Sequence, residues 1–200
     1  MKSIPIKSSV ARLRVGFTLI ELLVVIGIIA ILASLAFPVT QSVLQRAYKL
    51  KAQATVQDLQ VAINNYITEY NRLPMQGTAE TPIQTNQSTP LIGVLIGEVS
   101  GPNSLNPRGI QFLTANMAKN GVGGLVDNGG SALSLVDNWG NPYFVLMDGN
   151  YDNKVANPDV QNQDRTVSGN APPQLRTRVA VFSLGPDKQQ GTRDDIVSWR

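Results

Sequence analysis

Residues 17–37 read FTLIELLVVIGIIAILASLAF, and this stretch decides the fold. It holds twenty-one residues with no Lys or Arg among them. As an α-helix, at about 1.5 Å per residue, it would reach roughly 30 Å, the thickness of a bilayer's hydrocarbon core. Lys2, Lys7, Arg12 and Arg14 precede it. Cations on that side alone keep the N-terminal end in the cytoplasm and send the rest across. The one acid in the run is Glu21. A charge inside a membrane helix costs on the order of 2.5–3.5 kcal/mol, so it calls for a partner and a function. Glu21 stands one helical turn beyond Phe17. If the chain is cut after Gly16, the new α-amino group on Phe17 is positive, and Glu21 of one subunit would pair with the Phe17 amine of a neighbour.

With its flanks, the run is VGFTLIELLVVIGIIAILASLAFP over residues 15–38. It resembles the class III signal of type IV prepilins and pseudopilins: cations, then Gly16, a large apolar Phe17, Glu21, and Pro38 closing the apolar stretch. The resemblance implies cleavage by prepilin peptidase between Gly16 and Phe17 and N-methylation of Phe17. It also implies subunit docking guided by Glu21 and a helix that loosens near Pro38 in the filament. Two plainer readings compete. Ser34-Leu35-Ala36 would serve a conventional signal peptidase, but the apolar run is long for such a peptide and Glu21 would be idle. A simple single-span anchor leaves Gly16 and Glu21 unexplained. The first residue of the mature chain separates the three: Phe17, Phe37 or Met1.

At 200 residues the rest of the chain suits one modest globular domain. There is no cysteine, so no disulfide stabilises it, and no histidine. A Ser-His-Asp triad, a Cys-His dyad and a His-ligated zinc site are therefore excluded. The net charge of +3 resides in the first fourteen residues; beyond them thirteen basic residues face fourteen acidic ones. A nearly neutral body with few clustered cations is a poor phosphate binder, so no nucleic-acid partner is expected.

From Val39 to Arg72 there is no Gly and no Pro. Apolar residues recur at intervals of mostly three or four, through Val43, Ala47, Leu50, Ala54, Leu59, Ala62, Ile63, Tyr66, Ile67 and Tyr70. This spacing predicts an amphipathic continuation of the helix, ended by Leu73-Pro74. Residues 75–135 are rich in Gly, Asn, Pro, Ser and Thr. Short helices or turns are expected at Leu91–Ile96 and Ile110–Lys119, and a loop over 120–130. Tyr143–Met147, Arg178–Leu184 and Ile196–Trp199 read as strands. Asp137-Asn138-Trp139-Gly140-Asn141-Pro142-Tyr143 resembles the Asp-Pro-Trp-Gly-Asn-Pro-Tyr string of major pseudopilins of type II secretion, with Asn138 in place of proline. Trp139 and Tyr143 are expected to pack between helix and sheet. An exposed Trp139 would instead offer a contact to carbohydrate or a partner.

The tail SLGPDKQQGTRDDIVSW is similar to the C-terminal calcium loop of those pseudopilins. The resemblance implies calcium held by Asp187 and Asp194, with Asp195 a weaker ligand and the backbone carbonyls of Leu184 and Thr192 completing the shell. Calcium takes six to eight oxygens, which carboxylates and carbonyls of such a loop supply. The alternative is a solvated loop whose aspartates cap turns. A weaker metal candidate is Asp148, Asn150, Asp152 and Asp159, at offsets 1, 3, 5 and 12, with the carbonyl of Lys154 at offset 7. It lacks the central glycine, where Asn153 stands, and the terminal glutamate; a plain hairpin loop accounts for it as well.

The sequence thus divides into a basic leader (1–16), a transmembrane and filament-core helix (17–38), its amphipathic continuation (39–72) and a globular head (73–200). The expected fold class is α+β: a pilin-like long helix packed on a small antiparallel sheet. The resemblance implies a non-enzymatic subunit of a periplasmic type II secretion pseudopilus. Its partners would be copies of itself, other pseudopilins, prepilin peptidase and an inner-membrane assembly platform. It would stand in the inner membrane as a single-pass protein with its head in the periplasm, then join the filament. A type IV pilus or DNA-uptake pilus subunit is the near alternative. A membrane-anchored periplasmic binding module or enzyme is the more distant one.

Overall fold

The computed structural model describes residues 16–75, 80–86, 90–99, 101–102, 104–127, 129 and 133–200, with the side chains of residues 35–40 set aside. The leader cations Lys2, Lys7, Arg12 and Arg14 lie outside these residues. Helix α1 spans Leu19–Tyr70. Strand β1 (Ile83–Gln84) and helix α2 (Leu91–Ile96) follow, then β2 (Gly124–Asp127), β3 (Leu133–Val136) and β4 (Tyr143–Met147). After β5 (Val155–Ala156) come a 3-10 helix (Pro158–Gln161), α3 (Arg165–Ser168), β6 (Gln174–Leu175), β7 (Val179–Ser183) and β8 (Ile196–Val197). The chain divides into two compact units, Met1–Leu44 and Gln45–Arg200.

The second unit is an α+β domain, as the sequence predicts. Its sheet has the order β1-β4-β7-β8, antiparallel throughout. Strands β4 and β7 pair along their whole length, from Tyr143 opposite Ser183 to Met147 opposite Val179. Alternate residues of a strand face opposite sides, and here both sides are covered. Tyr143, Val145, Met147, Val179, Val181 and Ile196 join Ala52, Val56, Leu59, Ile63 and Tyr66 of α1 in the main core. Leu146, Ala180, Phe182 and Val197 form a second core on the other side, with Phe144, Leu175 and Trp199 around them. Two buried faces explain why β4 (YFVLM) and the first four residues of β7 (VAVF) run apolar rather than alternating.

The buried stripe of α1 differs from the predicted one at its start. Val43 and Leu50 are exposed, and Ala52 and Val56 take the core positions. From Leu59 onward, Ala62, Ile63, Tyr66 and Ile67 are buried as expected. The 110–119 segment is extended rather than helical. Phe112 and Leu113 donate their N–H groups to Leu95 O, and Ala118 and Leu125 bond backbone to backbone (2.7 Å). Leu113, Ala115 and Met117 alternate with Thr114 and Asn116, which is a strand period. The expected loop over 120–130 contains β2, which pairs with β3 in a hairpin. Trp139 is part-buried against the main core, and its indole donates to Gln45 Oε1 (3.0 Å). Tyr143 is buried in the core.

Candidate assembly helix and metal loop

The first unit carries the residues expected to serve processing and docking, Gly16, Phe17 and Glu21. Gly16 and Phe17 precede the helix and are exposed, so the bond between them is accessible. Thr18 stands just before α1, and the string Thr18-Leu19-Ile20-Glu21 closes a capping box. The Thr18 N–H and its hydroxyl both donate to Glu21 Oε2 (2.8 Å each), and the Glu21 N–H donates back to Thr18 Oγ1 (3.3 Å). Sequence reasoning assigned Glu21 only an intermolecular partner; the signal it passed over was Thr three residues before Glu at a helix start. The apolar side chains that follow, from Leu19 (87% exposed) to Leu32 (61%), have no partner within the chain. A helix apolar all round and exposed all round is built to be buried elsewhere. Among the described residues no helix is long and apolar enough to cross a membrane. The described side chains of the run end at Ser34, short of the roughly 20 residues a span requires. Pro38 falls within the bounds of α1, and its side chain lies outside the described set.

The tail aspartates share one loop between β7 and β8. Asp194 Oδ1 accepts from the Thr192 hydroxyl (2.8 Å), and Asp194 Oδ2 faces the Asp187 N–H (3.3 Å). Asp195 Oδ2 accepts from the N–H groups of Gly191 (2.8 Å) and Thr192 (3.2 Å). Its Oδ1 is buried and has no hydrogen-bond partner. Burial pushes Asp195 up to about 6, with the charges of Asp187 and Asp194 adding to the effect and the two N–H groups opposing it. Burial also raises Asp187, but the Gln189 N–H and the Thr192 hydroxyl outweigh it and hold Asp187 below the usual carboxylate range. A buried, unpaired carboxylate oxygen is costly. Its natural partner in a hard-oxygen loop is a cation. Asp195 Oδ1 thus leaves one buried acceptor open to a cation, while Thr192 O already accepts from Asn162 Nδ2 (2.9 Å), and among the described residues the three tail carboxylates are not gathered within 4.8 Å of one another.

The second aspartate constellation is only partly assembled. Asp148 accepts from the N–H groups of Asp152 (3.1 Å) and Asn153 (2.7 Å), and Asn150 also accepts from Asp152 (2.8 Å). Asp159 lies elsewhere: it accepts from the Trp199 indole (2.7 Å) and from Arg200 (2.9 and 3.1 Å). In its place stands Glu80, which no spacing rule pointed to. Oxygens of Glu80, Asp148 and Asp152 lie within 4.8 Å of one another, and Glu80 Oε1 is buried without a partner.

The chain is similar in sequence to known proteins over both of these parts. The family described as "Prokaryotic N-terminal methylation motif" matches residues 16–37. The type II secretion system core protein G of Aeromonas hydrophila is 27% identical over 94% of this chain and 94% of its own length. That of Escherichia coli (strain K12) is 28% identical over 92% and 90%. The type IV major pilin protein PilE1 of Neisseria gonorrhoeae is 30% identical over 62% of this chain and 68% of its own. No solved structure matches the chain. The methylation motif lies on the unpartnered helix and the alignments run on through the head, so the chain belongs to the pilin-like family that includes type IV pilins and the type II secretion pseudopilins.

Proposed function

We propose that the chain is a structural subunit of a type II secretion pseudopilus, and not an enzyme. Prepilin peptidase would cut between Gly16 and Phe17 and methylate the new amine. The segment 17–38 would hold the subunit in the inner membrane with the head in the periplasm. The platform there would pass it into a filament of its own copies and other pseudopilins. The observation that carries this reading is Glu21, the one carboxylate in residues 17–34, a stretch whose side chains are exposed and otherwise mostly apolar. In a monomer it is satisfied by Thr18; in a filament a neighbour's Phe17 ammonium offers a charged partner, and charge-assisted bonds are about twice as strong. Burial of the apolar helix among its neighbours would supply most of the cohesion.

The core proteins G align with almost the whole chain, which supports the secretion reading. PilE1, with slightly higher identity over a shorter stretch, supports the type IV pilus. A surface-length fibre seen by microscopy would decide for the pilus. A membrane-anchored module is separated by Glu21→Val. The pseudopilus reading expects this variant to insert, lose its first sixteen residues and fail in filament assembly and secretion; unchanged secretion contradicts the reading.

Calcium in the tail loop, held by Asp187, Asp194 and Asp195 with carbonyls of Leu184 and Thr192, is part of the same proposal. The ion would neutralise three crowded carboxylates and pin a loop with little apolar surface to bury. A ligand bound only by the native state raises its stability, so calcium should raise the Tm of chelator-treated protein. Asp187→Asn and Asp194→Asn should abolish that rise. If Asp148→Asn abolishes it instead, the ion sits at the Asp148 loop.

A further inference from the structure

One buried carboxylate organises the turn before β4 and reaches the metal loop. Asp137 is 1% exposed. Its Oδ1 accepts from the N–H groups of Trp139 and Asn141 (2.8 Å each). Its Oδ2 accepts from Asn141 Nδ2 (3.0 Å) and the Ser183 hydroxyl (2.6 Å). Asn141 Nδ2 has a second proton, and it goes to Gly185 O (2.7 Å). The Gly185 N–H in turn donates to Ser183 Oγ (3.2 Å). Both ends of Gly185 are therefore anchored to side chains that Asp137 holds.

Gly185 is where the tail loop leaves β7. Its φ of +69° and a position for Cβ only 2.4 Å from Asp194 O both demand glycine. The Leu184 carbonyl and the Gly185 N–H share one planar peptide. Fixing that N–H on Ser183 fixes the direction of the Leu184 carbonyl. Fixing Gly185 O on Asn141 keeps the residue pressed against the backbone of Asp194.

We propose that Asn141, held by Asp137, is the positioning residue of the tail-loop calcium site: it presses Gly185 against the backbone of Asp194, while Ser183, held by the same acid, directs the Leu184 carbonyl, before the ion arrives. This rests on the calcium reading of the tail. It gives the Trp139 turn a task beyond core packing. The turn's indole docks on Gln45 (3.0 Å) and lies edge-on to Tyr48 (centroids 6.2 Å apart). Loop order and the α1 face at Gln45 and Tyr48 are thereby joined through a single buried acid.

The test is calcium titration of the full chain in detergent, by calorimetry and by thermal unfolding, with and without Asn141→Leu. The variant keeps the side chain's bulk and loses both donors. The expected result is calcium affinity at least tenfold weaker and a smaller calcium-induced rise in Tm. Tyr66→Phe serves as the control. It loses the bond from the Tyr66 hydroxyl to Leu105 O (2.5 Å) and the hydroxyl's contact with Arg72, both far from the loop in sequence, and should lower Tm without changing affinity. If Asn141→Leu lowers the calcium-free Tm yet binds calcium as tightly as the wild type, Asn141 is merely structural and the proposal falls. If the wild type itself does not respond to calcium, the reading of the tail falls and takes the proposal with it. Should Asn141→Leu fail to fold, Ser183→Ala carries the same test, because it removes the hydroxyl that orients the Leu184 peptide; an unchanged affinity there overturns the proposal equally.

Discussion

Asp195 and Asp159 show how two aspartates of one small domain come to opposite ends. Asp159 is 6% exposed, and its oxygens are taken by the Trp199 indole and the Arg200 guanidinium. Asp159→Ala strands the indole N–H in the second core, and an unpaired buried donor costs about 1–3 kcal/mol. Urea unfolding should register a loss of that size. Asp195 has instead a buried oxygen with no partner and a folded-state value of about 6, against an ordinary 3.8. The calcium-free fold thus binds this proton more tightly than the unfolded chain does. The group favours the fold fully below about pH 4, and that contribution is lost as the pH rises through about 6. Chelator-treated protein should therefore lose Tm between about pH 4 and 6, and the Asp195→Asn variant, which cannot ionise, should lack that decline. Equal profiles for the two proteins would contradict the burial of Asp195. Nothing in the residue spacing distinguished these roles. A DxNxD run and an aspartate-rich tail are both read as oxygen clusters, and only the packing of Trp199 and Arg200 reveals that Asp159 is engaged elsewhere.

Elements were legible in proportion to how much of their stability is local. The α1 run, the β4 and β7 strands and α2 are long or dense enough in apolar or β-branched residues to announce themselves, and they stand where the sequence predicts. The β2–β3 hairpin does not announce itself. Its Gly123-Gly124 pair is a loop signal, yet a Cβ on Gly124 would lie 2.3 Å from Asn116 O, so glycine is there to let the 110–119 segment come close. That pairing is long-range information, which a local window lacks. The two-faced sheet makes a sharper prediction. Phe182 is 1% exposed, stacks on Phe144 (4.8 Å) and meets Trp199 edge-on (6.1 Å). Large-to-small replacement at such a site costs about 3–5 kcal/mol. Phe182→Ala should lower stability by that amount in urea, while the half-buried Phe144 should cost less on the same replacement. A loss below about 1 kcal/mol for Phe182→Ala would mean that the second face is not a core.

At the scale of the whole molecule, the chain separates what it can satisfy alone from what it leaves to others. Residues 45–200 hold both hydrophobic cores and the sheet. Residues 17–34 expose every described apolar side chain and satisfy only the helix start, through Thr18 and Glu21. Contiguous apolar surface of that extent is not stable in water unless it meets another surface. Removing residues 1–44 should therefore leave a domain that folds by itself, because the buried positions of α1 begin at Ala52 and none of the core residues precedes it. The expected outcome is a monomer on gel filtration that unfolds cooperatively in urea without detergent, whereas the chain from Phe17 onward requires detergent or self-association to stay in solution. If the calcium response belongs to the tail loop, the shortened domain should retain it undiminished, since the groups assigned to that loop, Asp137 and Asn141 included, all lie beyond residue 44. A fragment that is unfolded or aggregated would show that the apolar half contributes to the head's own core. The helix would then be a structural part of the domain rather than the surface through which subunits join.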